Sequence, residues 1–97
     1  MLHMVNKSPF QNGGLDSCLR FASAGDCILL MEDAAFAAAT GTAKSAEVEA
    51  ACKKFKVYAL SADIKARAVK SVIEGIEVID YAGFVDLVDQ NKTHSWL

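Results

Sequence analysis

Proline is almost missing from this chain, one residue in 97, and basic residues do not outnumber acidic ones. The scarcity of proline argues against a disordered or collagen-like chain and for regular elements packed closely together. Ten Lys plus Arg against twelve Asp plus Glu leave a net charge of −2 and a pI near 5.6. A phosphate backbone demands a basic excess, so direct nucleic-acid binding is not expected. Long hydrophobic runs are missing as well. Cys27 to Met31, followed after Glu32-Asp33 by Ala34 to Ala39, is interrupted by charge and too short to span a bilayer, so no membrane association is expected. The opening Met1-Leu2-His3-Met4-Val5-Asn6-Lys7 lacks the charged start, long apolar middle and cleavage site of a secretory signal, which makes the cytoplasm the expected location. Cys18, Cys27 and Cys52 form an odd set with gaps of 9 and 25 residues. That spacing fits neither a disulfide framework nor a Cys-x-x-Cys metal or redox pair, so three free thiols are expected.

Apolar residues are what the chain has in plenty. They make up 53%, with a mean hydropathy of +0.22, against roughly 45–50% in ordinary soluble domains. The length allows one core, a single domain over 1–97. Some of the excess is therefore expected to meet another subunit.

Local patterns alternate between two periods. Met1 to Val5 reads as a strand, ended by a loop around Pro9 and Asn12-Gly13-Gly14. Leu15, Cys18, Leu19 and Ala22 share one face of a helix that Gly25 is expected to end. Cys27 to Met31 is apolar without alternation, as in a strand buried on both faces of a parallel sheet. Helices are expected over Ala34–Ala39 and Ala43–Lys54, the second with Val48, Ala51, Cys52 and Phe55 on its inner face. Lys56–Leu60 is a third strand, followed by a helix with Ile64, Ala68 and Val72 as its stripe. Ile76–Ile79 is a fourth strand. Tyr81, Phe84, Val85 and Val88 then repeat at helical spacing, and Thr93–Leu97 offers a short edge strand. Alternation of this kind means right-handed crossovers, hence a three-layer, flavodoxin-like α/β domain with a mostly parallel sheet of four or five strands. Ligands of such sheets gather beyond the carboxyl ends, here Asn6 to Ser8, Glu32 to Ala34, Ser61 to Asp63 and Asp80-Tyr81.

Few residues in this frame carry chemistry. No Gly-x-x-Gly or Gly-Lys-Ser phosphate cradle follows Gly13-Gly14, so no nucleotide cofactor is expected. His3 within a strand and His94 near the carboxyl terminus are expected to be structural or solvated. Glu32 and Asp33 are neighbours on a strand end and point apart, which makes them poor partners for acid–base work. Cys27 and Cys52 fall on apolar faces and are expected to act as small hydrophobes. Cys18 also lies on an apolar face, yet it falls near the start of its helix. Free amides and the positive dipole end there stabilise a thiolate, against which Asp16 works.

Several blocks together resemble one family. These are Met1-Leu2-His3-Met4-Val5-Asn6-Lys7-Ser8-Pro9-Phe10, Lys56-Val57-Tyr58-Ala59-Leu60 with Asp63-Ile64-Lys65-Ala66-Arg67, Ile79-Asp80-Tyr81-Ala82-Gly83-Phe84-Val85-Asp86-Leu87 and the ending Trp96-Leu97. In order and spacing they look like the DsrH/TusB family from end to end. The resemblance implies a small sulfur-relay subunit that joins two paralogues, of DsrE and DsrF or TusD and TusC type, in a heterohexamer. It also implies a DsrC- or TusE-type carrier as the recipient of sulfur. The DsrEFH branch serves sulfur oxidation, and the TusBCD branch serves 2-thiolation of the tRNA wobble uridine. A cysteine at the place of Cys18 resembles DsrH proteins and favours the first branch. The resemblance makes Cys18 the candidate persulfide carrier, by thiol chemistry without metal or cofactor, with a non-catalytic scaffold as the rival role. Ala34 and Ala68 stand where the family pattern leads one to expect glycine.

Overall fold

The computed structural model describes residues 1–96; Leu97, the last residue of the expected tail strand, lies outside them. The framework is β1 (Leu2–Val5), β2 (Cys27–Leu30), β3 (Lys56–Leu60), β4 (Ile76–Ile79) and β5 (Thr93–Trp96). They form one five-stranded sheet in the order β4-β3-β2-β1-β5, and every pairing is parallel. Val5 lies opposite both Leu30 and Trp96, so the two ends of the chain are neighbours in the sheet. Between the strands run α1 (Gly14–Phe21), a 3-10 helix (Glu32–Ala38), α2 (Ser45–Lys54), α3 (Ser61–Ala66) and α4 (Tyr81–Gln90).

Steps from β1 to β4 all move one way across the sheet, so right-handed crossovers place α1, the 3-10 helix, α2 and α3 on one face. The return from β4 to β5 carries α4 to the other. Side chains sort accordingly, because successive residues of a strand point to opposite faces. Val5, Ile28, Leu30, Val57 and Ala59 enter the main core with Leu15, Cys18, Val48 and Ile64. The alternate residues Leu2, Leu29 and Leu60, also buried, face the α4 layer. There Gly83 lets the helix sit close, since a Cβ on it would lie 3.1 Å from Ile79 Cβ. The Asp80 carboxylate caps α4 by accepting the Gly83 N–H at 2.9 Å.

Several boundaries differ from those the local pattern suggests. Helix α1 stops at Phe21, and Gly25 (φ +89°) instead serves the turn that the Asp26 N–H closes on the Ser23 carbonyl at 3.0 Å. The alanine run winds as a 3-10 helix whose Ala34, Ala35, Ala37 and Ala38 are wholly buried. Helix α3 does not continue along Ile64, Ala68 and Val72. The stretch after it is drawn out to pair with the chain leaving the 3-10 helix, through Thr40 N–H to Ser71 C=O at 3.0 Å and Ile73 N–H to Ala38 C=O at 2.8 Å.

A Schellman closure ends α3: the Val69 N–H reaches the Ile64 carbonyl and the Ala68 N–H the Lys65 carbonyl, both at 3.1 Å. This closure needs a left-handed residue, and Ala68 holds φ +53°. Glycine, which the family resemblance leads one to expect here, would adopt it without its Cβ crowding the backbone. Ala68→Gly is therefore expected to stabilise the fold by about 0.5–1 kcal/mol and raise Tm by about 3–6 °C in thermal unfolding followed by circular dichroism. An unchanged or lower Tm would show that the closure carries no strain.

Candidate functional site

Cys18 is the fifth residue of α1, in its second turn and so past the free amides of the first. The amphipathic face predicted for it is present. That face carries the thiol inward, where Cys18 is 0% exposed among Leu15, Val5 and Ile28. Burial, and after it the Asp26 carboxylate, push the thiol up to about 12. The attacking species in persulfide chemistry is the thiolate, and at neutral pH this sulfur stays protonated. The helix-start stabilisation expected of Cys18 is thus outweighed by desolvation.

Asp26 belongs to a second feature next to this one. His3 is fully buried, with Nε2 2.9 Å from Asp26 Oδ2 and Nδ1 3.1 Å from the indole nitrogen of Trp96. An indole N–H only donates, so Nδ1 accepts and Nε2 carries the proton given to Asp26. Asp26 also accepts the Ser23 N–H at 2.9 Å and the terminal amine of Met1 at 3.2 Å. The His3 hydrogen bond first, then that from Ser23, hold its carboxyl down at about 2. Both imidazole nitrogens are engaged, which leaves none to act as a base toward Cys18. His94 is exposed on β5, with its ring stacked on Phe21 at 6.0 Å between centroids.

The carboxyl ends of β2 and β3 hold the other expected residues. Glu32 takes a left-handed conformation (φ +49°) and donates its N–H to Asp63 Oδ2 at 2.7 Å. Arg67 places Nε and Nη2 each 2.9 Å from Asp33 Oδ1, with Nη1 3.5 Å from Asp63 Oδ1. The Glu32 backbone is thus tied to α3, and the Asp33 carboxylate to Arg67 just after it. Cys52 and Cys27 are half-buried, and burial raises the Cys52 thiol, with Glu49 adding to it. Among the described residues, no cluster of His, Cys, Asp and Glu is arranged to hold a metal ion, and no helix is long and apolar enough to cross a membrane.

Two features had little sequence signal. The His3–Asp26–Trp96 chain joins residues 23 and 93 positions apart, beyond any local pattern. On α4, Phe84 and Leu87 turn toward the sheet, while Tyr81, Val85 and Val88 stand 61%, 55% and 38% exposed. Their spacing reads as helical, but it does not say which apolar side faces in.

Fold and site together define a small three-layer α/β domain with a buried thiol at Cys18 and exposed apolar surface. The chain matches the family described as DsrH like protein over residues 7–94. Protein TusB of Erwinia tasmaniensis is 37% identical over 93 residues, covering 94% of each chain, and Protein TusB of Escherichia coli K12 is 38% identical over 88 residues, covering 90% of each. The chain therefore belongs to the DsrH/TusB family. The ychN protein of Escherichia coli shares the fold, with a TM-score of 0.78 at 18% identity over 97% of both chains.

Two outcomes test this geometry. At neutral pH, iodoacetamide is expected to label Cys18 about a thousandfold or more slowly in the native chain than in urea, from the rise of its pKa from 9.0 to about 12 and from burial. Equal rates would refute the buried placement. The folded Asp26 value lies below the ordinary 3.8, so its stabilisation is complete above about pH 4 and fades as pH falls toward 2. Asp26→Asn is expected to cost about 2 kcal/mol at pH 7 in urea unfolding, with the gap closing below pH 4; a gap independent of pH would overturn the assignment.

Proposed function

We propose that this chain is a TusB-type subunit of a cytoplasmic sulfur relay, assembled with TusC- and TusD-type paralogues in a heterohexamer. The relay passes sulfur to a TusE-type carrier and on to 2-thiolation of the tRNA wobble uridine. The observation that carries this reading is the end-to-end likeness to proteins named TusB. Cys18 taken by itself resembles the sulfur-oxidation branch, whereas the relatives at 37% and 38% identity bear the name TusB and favour the tRNA branch. The exposed stripe Tyr81, Val85 and Val88 supports a subunit role, since apolar surface of this kind is usually covered by a partner.

For Cys18 the geometry supports a structural part, with the reactive thiol supplied by a paralogue. Carriage on Cys18 requires α1 to lift from β1 and β2. The thiolate would then attack the outer sulfur of a donor persulfide, the S–S bond would break, and the donor would leave as a thiolate.

The test is a bacterium lacking its own TusB, supplied with this chain and the paralogous subunits from the same source. Nucleoside mass spectrometry is expected to find 2-thiouridine restored, and Cys18→Ser to restore it within about twofold. No restoration by the unaltered chain would reject the tRNA-branch reading. Restoration abolished by Cys18→Ser, with assembly intact, would make Cys18 the carrier.

A further inference from the structure

A groove of about 660 Å³ runs between α1 and α2. Both helices follow a strand and lead back to a parallel one, so they run side by side in the same direction. Leu19, Ala51 and Phe55 line it with apolar surface. Its two ends carry opposite charge. At the amino-terminal end stand Asp16 and Glu47, which share one cation: Lys44 Nζ is 3.4 Å from the first and 3.5 Å from the second. Asp16 Oδ1 is buried, and a hydrogen bond with Asp16, with burial after it, raises the Glu47 carboxyl above the ordinary range. At the carboxyl-terminal end stand Arg20 and Lys54, both exposed and, among the described residues, free of ion pairs.

We propose that this groove receives an amphipathic helix of a partner protein, antiparallel to α1 and α2, with acidic residues in its first turn and basic residues in its last. It deepens the subunit reading and rests on it. Charge and dipole agree on the direction. The partner's positive amino-terminal end would meet the negative carboxyl ends of α1 and α2, and its acidic first turn would meet Arg20 and Lys54. Its basic last turn would meet Asp16 and Glu47, two carboxyl groups that have only the Lys44 cation between them. Helix α2 has ten residues, about 15 Å, so about three turns of the partner span the groove. A second copy of this chain is a poor occupant. Its exposed helix α4 has no acidic residue in its first turn and no basic residue in its last, and Asp86 and Asp89 lie toward its carboxyl end.

The probes are two stapled helical peptides of about four turns with the same Leu/Ala face and the same composition. One carries Glu in its first turn and Lys in its last, and the other is reversed. Fluorescence anisotropy with the full chain is expected to show the first binding at least about tenfold tighter, and amide NMR shifts are expected to follow α1 and α2. Arg20→Glu with Lys54→Glu is expected to abolish that preference. Equal affinity for the two peptides, binding by neither, or shifts confined to α4 or β5 would overturn the proposal. Thiolation restored in the relay experiment while neither peptide binds would discard the groove and leave the subunit reading standing. Peptide polarity preserved without thiolation would do the reverse.

Discussion

The buried imidazole of His3 is the contact on which the rest of the architecture leans. It is hydrogen-bonded on both nitrogens, to Asp26 ahead of β2 and to Trp96 at the end of β5. Strand β1 lies between β2 and β5, so this one side chain reaches both of its neighbours. A polar ring at 0% exposure is tolerated only when its nitrogens are satisfied. Slipping either neighbouring strand by one residue would leave a nitrogen unpaired in the core, which costs about 1–3 kcal/mol. The terminal amine of Met1 adds a third tie to Asp26.

From that register follows the seat of α1, and with it the character of Cys18. A helix laid across β1 and β2 buries its apolar face, and the thiol goes down with Leu15. Asp26, held ionised by His3, then opposes a second negative charge close by. The same parallel crossovers that set α1 and α2 side by side bring their acidic starts together and their basic ends together. Positive φ outside glycine falls, among the described residues, at two places that contacts bring into one region. Glu32 and Ala68 both hold positive φ, and Asp63 and Arg67 tie that region together by receiving the Glu32 amide and binding Asp33.

Much of this frame was legible beforehand. Cys27–Leu30, Lys56–Leu60 and Ile76–Ile79 announce themselves as short apolar runs between turn signals, and the crossovers between them imply the parallel sheet. Helix ends were harder. Ile64, Ala68 and Val72 keep a helical period, but pairing of Ser71 and Ile73 with Ala38 and Thr40 draws that stretch out of the helix. For Cys18 the apolar face was legible and the depth was not, because how far a helix sinks depends on the side chains of β1 and β2 beneath it, and the pattern left its exposure open.

Composition and local period were enough for an α/β fold with a mostly parallel sheet, its order of elements and its surplus of apolar residues, and the blocks that open and close the chain resembled the family it belongs to. Three things waited for the packed molecule: the protonated, buried state of Cys18, the pairing of His3 with Asp26 and Trp96, and the opposed charges along the α1–α2 groove. The physical reason is range. Propensity and periodicity act over a few neighbouring residues, whereas desolvation and charge alignment depend on groups that the chain brings together from as far apart as residues 3 and 96.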